Sequence, residues 1–324
     1  MPPSTYVLPV TQTEVDDAVR VEALTRRFAG VTAVDGLRFR VGTAEIFGLV
    51  GPDGAGKTTT LRMLAGVLPP DSGSASVAGC DVVREAELLK TRISYMPQRF
   101  GLYEDLTVDE NIRFYADLFE TGRKAREERA ARLLAASGMS EFRQRLAGQL
   151  SGGMKQKLGL TCALIHTPRV LLLDEPTTGV DPVSRRDFWR ILYWLVDEGV
   201  TVVISTSYLD EAERCHRLAL LRSGHLLLCD TPANLKRRMR GEVVVATSSQ
   251  PREVRDALAG APGVLGSLLV GVAVHLNVDA AARIPELQRA LVAAGVPCDS
   301  MLRVEPTMED LFVSAVREAE GAGA

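Results

Sequence analysis

The sequence predicts an α/β fold, in which parallel strands are covered by helices, with a small α+β domain at the carboxyl end. Residues 170–173 and 201–205 are short apolar runs typical of buried parallel strands, and a helical pattern at 182–198 lies between them. Residues 45–50 and 58–67 repeat the order of strand and helix across a glycine-rich loop. Such alternation of strands and helices is typical of α/β proteins.

The segments beside that parallel sheet have other patterns. Residues 21–25 and 37–41 alternate like half-buried antiparallel strands around a turn at Ala29 and Gly30. A T-x-x-E capping box at Thr107 opens a block of amphipathic helices that extends to residue 150. We therefore expect an antiparallel β subdomain and a helical subdomain next to the parallel sheet.

A basic cluster at residues 236–241, KRRMRG, interrupts these patterns and indicates a domain boundary. The order that follows is strand, helix, two strands, helix, strand and helix, which predicts a small split βαβ domain. The predicted division is a flexible tail (1–20), a large domain (21–237), a small α+β accessory domain (241–317) and a second flexible tail (318–324).

Composition narrows the class of protein. The 324 residues are 46% hydrophobic, as in ordinary globular proteins, and the formal net charge of -3 gives no electrostatic basis for binding nucleic acid. Five cysteines without C-x-x-C spacing favour a reduced, cytosolic setting. We find neither a signal-peptide pattern nor an apolar segment of the roughly 20 residues that span a bilayer.

Residues 49–61, LVGPDGAGKTTTL, contain a complete G-x-x-x-x-G-K-[ST] phosphate loop. Its glycines let successive N–H groups point at phosphate oxygens, and the helix that follows begins with a positive end. Lys57 is expected to reach the β- and γ-phosphates, and the Thr58 hydroxyl to ligate Mg2+. A glycine-rich turn that matches by chance is the alternative, but the strand before the loop and the helix after it favour nucleotide binding. The expected nucleotide contacts are Gly51, Pro52, Asp53, Gly54, Ala55, Gly56, Lys57, Thr58 and Thr59.

A second chemical motif is the stretch VLLLDEPTTGVDP, in which Asp174 and Glu175 follow an apolar strand. In α/β folds, ligands bind at the carboxyl ends of the strands. Asp174 is expected to hold Mg2+, directly or through water, and Glu175 to polarise a water for attack on the γ-phosphate. Such a pair is often only solvated, but after a phosphate loop a catalytic role is favoured.

The third motif is LSGGMKQKLGL, where Ser151, Gly152 and Gly153 begin a helix. A hydroxyl and two glycines at a helix N-terminus suit close approach to a phosphate. An ordinary N-cap explains the same residues when they are considered alone. Their place about 20 residues before Asp174 favours a role in the site.

With these three motifs in this order, residues 21–235 resemble the nucleotide-binding subunit of ATP-binding cassette (ABC) transporters. The residues within the motifs, together with the stretch SYMPQRFGLYEDLTVDENI, look most like those of the ATPases of bacterial type-2 exporters. The phrase VEPTMEDLF at residues 304–312 is similar to the end of the C-terminal domain in many of them. The resemblance implies a P-loop NTPase fold with a mixed sheet and RecA-like core, an antiparallel β subdomain and a helical subdomain.

The resemblance also assigns roles to single residues. Phe28 matches the aromatic that stacks on adenine, with a core aromatic as the open alternative. Gln98 matches the glutamine that senses Mg2+ and the attacking water, although a surface glutamine fits the same position. Asp181 matches the aspartate that communicates across a dimer, and the loop from Ser151 closes over the ATP of the other subunit in the family. A homodimer or heterodimer of cassettes is therefore expected.

One position departs from the family pattern. Ser207 stands where the family usually has a histidine that contacts the γ-phosphate. A serine donates a hydrogen bond but cannot carry the positive charge of an imidazole. Hydrolysis is then expected either to be slower or to depend more heavily on Glu175, and to remain active because Lys57, Asp174 and Glu175 are all intact.

The resemblance implies an ATPase that powers transport by separate integral-membrane permease subunits, with ATP and Mg2+ as cofactors and no nucleic-acid partner. It places the chain in the cytoplasm, peripheral on the inner face of the cell membrane through those partners. The stretch RFGLYEDL after Gln98 is either their docking site or a plain surface loop. Two other functions stay open: a soluble cassette ATPase outside transport, and a low-turnover regulatory ATP-binding subunit.

Overall fold

A computed structural model describes residues 17–321 of the chain, so the predictions for residues 1–16 and 322–324 lie outside the described part. The strands are β1 (Asp17–Phe28), β2 (Val31–Gly42), β3 (Ile46–Val50), β4 (Ser72–Val77), β5 (Cys80–Asp81), β6 (Ile93–Met96), β7 (Val170–Asp174), β8 (Thr201–Thr206), β9 (Arg217–Arg222), β10 (His225–Asp230), β11 (Glu242–Thr247), β12 (Val264–Val270), β13 (Ala273–Val278) and β14 (Ser300–Val304). The helices are α1 (Lys57–Leu64), α2 (Ala86–Arg92), α3 (Val108–Leu118), α4 (Arg123–Ser137), α5 (Gly152–Leu164), α6 (Pro182–Asp197), α7 (Leu209–Ala212), α8 (Pro232–Arg238), α9 (Pro251–Leu258), α10 (Ile284–Ala293) and α11 (Met308–Gly321).

The central sheet has six strands in the order β10-β9-β3-β8-β7-β6. From β9 to β6 the neighbours are parallel, and β10 is antiparallel to β9. Every residue of β3, β7 and β8 is buried, which is why these strands read as continuous apolar runs. The predicted α/β class with a mixed sheet is confirmed.

Parallel register brings the carboxyl ends of four strands to one edge of this sheet. Val50 of β3 pairs with Thr206 of β8, and Asp174 of β7 pairs with Ser205 of β8. Met96 of β6 pairs with Leu173 of β7. The segments that follow these strands therefore begin close together, as α/β ligand sites require.

An antiparallel sheet, ordered β2-β1-β4-β5, lies beside the central one. The predicted tail over residues 1–20 is wrong for residues 17–20, because β1 begins at Asp17. Val19 is fully buried and pairs with both Val41 and Val77. Strand β4, which makes the second of these pairings, was not predicted from the sequence.

The helical subdomain contains α3, α4 and α5 around a core of its own. The predicted capping box is confirmed: Thr107 accepts from the N–H of Glu110, and the Glu110 side chain accepts from the N–H of Thr107. We call β1–β10 with α1–α8 the larger unit. No helix of residues 17–321 is long and apolar enough to span a bilayer.

The accessory unit consists of β11–β14 with α9 and α10. Its antiparallel sheet has the order β12-β13-β11-β14, and both helices contribute to the core on one face. The predicted order of strand, helix, two strands, helix and strand is confirmed, and it forms a split βαβ arrangement.

Helix α11 packs against both units. Met308 and Leu311 are buried in one apolar cluster with residues of the larger unit, among them Leu218 and Leu235. On its other side, Asp310 lies 3.0 Å from His275 Nδ1 of β13. The predicted tail over residues 318–324 is wrong up to residue 321, because α11 continues to Gly321.

Shortening Leu311 to alanine should therefore destabilise the protein. A buried leucine truncated in a packed core loses about 2–5 kcal/mol of unfolding free energy. Leu302 on the accessory sheet is 64% exposed, so Leu302→Ala is a control expected to change that energy by less than about 0.5 kcal/mol. Denaturant titration of both variants measures the difference, and equal losses would show that α11 does not stabilise the junction.

Candidate functional site

The phosphate loop connects β3 to α1, and close backbone contacts require two of its glycines. A Cβ at Gly51 would lie 2.2 Å from the carbonyl oxygen of Leu221, and one at Gly56 would lie 2.5 Å from that of Ala33. Gly56 also has a φ of 98°, which is the left-handed region. The loop can therefore take this shape only with glycine at both positions.

Lys57 begins α1 and crosses the loop. Its Nζ donates to the carbonyl oxygens of Gly51 at 2.7 Å and Pro52 at 3.0 Å. It also lies 3.0 Å from Glu175 Oε1, and the lysine side chain is only 4% exposed. A cation is thus held at a helix N-terminus, in a loop whose shape suits phosphate oxygens.

Asp174 is the buried acid of the site, with 1% of its surface exposed. Thr58 Oγ1 and Ser205 Oγ donate to its Oδ1 at 2.9 and 2.8 Å. Tyr95 donates to Oδ2 at 3.3 Å. Burial, together with the negative charge of Asp174, raises the pKa of Tyr95 to about 12, so the phenol keeps its proton near neutral pH.

Glu175 adopts an unusual backbone conformation, with a φ of 47°. Its N–H donates to Ser205 Oγ at 2.9 Å, and Thr178 donates to its Oε2 at 3.1 Å. Left-handed backbone at a residue other than glycine costs on the order of 1–3 kcal/mol and is found at functional sites. The bond to Ser205 holds the backbone, and the Thr178 and Lys57 contacts hold the side chain.

A cavity of about 370 Å³ joins these elements. Of the residues predicted to form the site, it is lined by Asp53, Gly54, Ala55, Gly56, Lys57, Thr58, Thr59, Gln98 and Glu175. Ala33 of β2 is a further lining residue that the sequence did not indicate. Gly51, Pro52 and Asp174 are outside this lining. Gly51 and Asp174 are buried and Pro52 is exposed, and all three accept hydrogen bonds from Lys57 or Thr58 of the loop.

Phe28 is not among the lining residues of the described chain, and its ring is 43% exposed at the end of β1. The Arg26 guanidinium lies 4.8 Å from the ring centre. The alternative of a core aromatic is therefore wrong, and stacking on adenine stays a prediction. Ser207 directly follows β8 and is half-buried, also outside the lining.

Two other predicted residues cap neighbouring helices. Ser151 accepts from the N–H of Met154 at the start of α5. Asp181 accepts from the N–H of Ser184 at 2.9 Å at the start of α6, and hydrogen bonds from Ser184 hold the pKa of this carboxyl below its usual value. A Cβ on Gly153 would lie 2.5 Å from the Ser184 side chain, whereas Gly152 faces open space.

The sequence reading missed the hydroxyls around the two acids. Ser205 contacts both Asp174 and Glu175, and Tyr95 contacts Asp174. The available signal was the serine at the end of the apolar run TVVIS, since a polar residue in a fully buried strand needs a partner. Tyr95 had no comparable signal, because an alternating strand tolerates tyrosine.

Comparisons with known proteins agree with this geometry. A family model described as "ABC transporter" matches residues 34–178. The chain is 44% identical over 302 residues to the probable multidrug ABC transporter ATP-binding protein YbhF of Escherichia coli K12, which covers 92% of this chain and 52% of YbhF. It is 36% identical over 302 residues to the daunorubicin resistance ATP-binding protein DrrA2 of Streptomyces coeruleorubidus, covering 91% of this chain and 94% of DrrA2.

A solved structure described as the ATP-binding subunit of an ABC transporter is similar in fold, with a TM-score of 0.62 and 27% identity over 68% of this chain and 92% of that one. The site thus defines a P-loop nucleotide-binding protein. The chain belongs to the ABC transporter family, as one of its ATP-binding proteins. It spans about half the length of YbhF and nearly all of DrrA2.

Replacing Ser205 by alanine should destabilise the protein, because Ser205 supports the two acids of the site. The change removes one donor to Asp174 and one acceptor for the N–H of Glu175. Thr58 still donates to Asp174, and the Glu175 N–H still donates to the Ser205 carbonyl oxygen, so the main loss is the hydrogen bond to the carboxylate, and a hydrogen bond to a charged group contributes about 1.5–3 kcal/mol. We expect Ser205→Ala to lower the unfolding free energy by that amount. Ser74→Ala on the exposed face of β4 is the control, and an unchanged midpoint for Ser205→Ala would contradict the assigned contacts.

Proposed function

We propose that this chain is the ATP-hydrolysing subunit of an ABC exporter, in which ATP binding and hydrolysis drive separate membrane-spanning partners. The observation that carries the proposal is the single cavity that gathers Lys57, Thr58, Gln98 and Glu175 at the strand ends. Export is supported by the relatives, whose names refer to multidrug transport and daunorubicin resistance. The cargo of this chain is not encoded in the site.

Oxygen donors suited to Mg2+ are present beside the phosphate loop. Thr58 Oγ1 and Asp174 Oδ1 lie 2.9 Å apart, and the exposed Gln98 lines the same cavity. Mg2+ prefers carboxylate, hydroxyl and water oxygens, usually with phosphates of the substrate. Thr58, Gln98 and Asp174 would hold it, and the bound ion would neutralise charge on the phosphate oxygens.

Glu175 is proposed as the group that polarises the attacking water. Its Oε1 contacts Lys57, whose ammonium would prefer the more highly charged phosphates once nucleotide is bound. That exchange of partners leaves the carboxylate oxygen free to accept a hydrogen bond from water. Lys57 would then stabilise negative charge on the transferred phosphoryl group.

The caps at Ser151 and Asp181 are proposed to act in a dimer of cassettes. Neither residue lines the cavity of its own chain among the described residues, yet Ser151 and Gly152 are exposed at a helix N-terminus. A second subunit facing this end would present its own phosphate loop to that N-terminus. Phe28 at the exposed end of β1 would stack on the adenine, and the dimer is a homodimer or a heterodimer.

Permease subunits are the proposed membrane partners, and they would place the chain on the inner face of the cell membrane. Tyr103 and Phe114 are 47% and 40% exposed, and their rings lie 4.6 Å apart near the stretch that follows Gln98. Exposed aromatic rings suit the docking of a partner helix. We also propose a cassette at residues 21–237 and an accessory domain at 241–317, whose last helix, α11, packs against the cassette.

Replacing Glu175 by glutamine should abolish turnover and spare binding. Glutamine keeps the shape of the side chain but cannot accept a proton, so we expect the rate of ATP hydrolysis to fall at least about 100-fold. Equilibrium binding of ATP should change little. Phosphate release by wild type, Glu175→Gln and the control Glu87→Gln, whose side chain is 88% exposed, measures the effect; equal rates in all three would refute the role of Glu175.

Replacing Ser207 by histidine should raise turnover. An imidazole supplies a stronger and partly charged donor than a hydroxyl to a γ-phosphate. We expect kcat to rise by about two- to tenfold with little change in ATP affinity. Ser74→His is the matched control, and a fall in kcat for Ser207→His would mean that the serine is adapted to its own surroundings.

A further inference from the structure

Glu211 on the short helix α7 is a carboxylate with no exposed surface. Thr177 Oγ1 donates to its Oε1 at 2.8 Å, and Thr206 Oγ1 donates to its Oε2 at 2.8 Å. Both threonines are themselves buried, with 1% of their surfaces exposed. Each carboxylate oxygen thus has one hydroxyl donor, and the two donors come from different segments of the chain.

The charge of Glu211 is only partly compensated. Among the described residues, the one cationic group within 4 Å is Arg185, whose Nε lies 3.9 Å from Oε1. Arg185 also lies 3.7 Å from the exposed Asp210 and stacks over Tyr208. A buried carboxylate is costly unless it is paired and hydrogen-bonded, and an apolar side chain would fill the same volume without that cost. Packing alone does not account for this residue.

The two threonines belong to the segments that carry the proposed chemistry. Thr177 is two residues after Glu175, and Thr206 immediately precedes Ser207. Thr206 Oγ1 also accepts from the N–H of Tyr208 at 3.0 Å, so the backbone is held on both sides of Ser207. Glu211 therefore connects the segment after β7 to the last residue of β8 through two short hydrogen bonds.

We propose that Glu211 is a positioning residue of the ATP site: it fixes the distance between Glu175 and Ser207, and thereby the alignment of the attacking water with the γ-phosphate. This inference rests on the proposed function. This role requires a side chain long enough to bond both threonine hydroxyls at once. The negative charge of Glu211 is secondary. Misplacing a catalytic group by about 1 Å is enough to lower a rate on the order of 100-fold.

The length of the side chain separates this role from a purely electrostatic one. Glutamine at position 211 keeps the reach, because its oxygen and its amide nitrogen can each bond one threonine hydroxyl. Aspartate keeps the charge but is one methylene shorter, so it cannot reach both hydroxyls. We expect kcat to fall about 10- to 100-fold in Glu211→Ala and Glu211→Asp, and less than about fivefold in Glu211→Gln.

The experiment measures kcat, KM and the equilibrium affinity for ATP, at a temperature where circular dichroism shows each variant folded. A positioning role predicts a loss in kcat with an ATP affinity within about threefold of wild type, because the phosphate loop is untouched. The paired variant Thr177→Val with Thr206→Val removes the same hydrogen bonds while leaving Glu211 in place, and it should lose kcat to a similar extent. If Glu211→Ala does not fold, this paired variant tests the proposal in its place.

Glu213→Gln is the matched control, since Glu213 follows the same short helix and is 43% exposed. It should behave as wild type. The proposal is overturned if Glu211→Ala keeps wild-type kcat, if Glu211→Asp is as active as Glu211→Gln, or if affinity and kcat fall together. Failure of the proposed function is distinct, because wild type and Glu175→Gln would then release phosphate at the same rate.

Discussion

The alignment of parallel strand ends is the constraint on which the rest of the structure depends. Because β3, β6, β7 and β8 pair in register along buried strands, their last residues are fixed relative to one another. A residue in a buried strand cannot shift without breaking the backbone hydrogen bonds of the sheet. Asp174 is the last residue of β7, Gly51 and Glu175 come one residue after a strand end, and Gln98 comes two residues after one.

That alignment also explains how two acidic groups are tolerated beside each other. Asp174 is buried, and three hydroxyls donate to it, from Thr58, Tyr95 and Ser205. Hydrogen bonds of this kind offset the loss of hydration that an isolated carboxylate would suffer. Glu175, one residue later, turns away through a left-handed backbone and contacts Lys57 instead. The left-handed backbone at Glu175 thus directs the two side chains differently: Asp174 lies among the buried hydroxyls, and Glu175 faces the cavity.

The fold and the phosphate loop could be predicted from local sequence patterns. The apolar runs, the phosphate loop and the capping box at Thr107 each have a physical cause within a few residues of sequence. The start of β1 was not predictable in this way, because it depends on the pairing of Asp17 with Gly42 and of Val19 with Val41 and Val77, which are distant in sequence. Tertiary pairing overrides weak local propensity at such positions.

The buried residues that support the site were not predicted, for a related reason. The roles of Ser205 and Glu211 arise only when separate strands are side by side, and a single sequence does not display that proximity. The order of strands and helices in the accessory unit could be predicted from the sequence, whereas the packing of α11 against the larger unit could not. An amphipathic helix reveals which face is apolar but not which surface covers it.

The contacts at the start of α6 relate the exposed loops to the buried network. Asp181 caps this helix by accepting from Ser184, and a bulkier residue at Gly153 would collide with that same serine. At this point the start of α5 packs directly against the Ser184 side chain of α6, so a shift of one helix start displaces the other. One residue after Ser184, Arg185 faces the Glu211 carboxylate. A partner bound at Ser151 and Gly152 would therefore contact the start of α5 next to Ser184, and the residue after Ser184 is the arginine that faces Glu211.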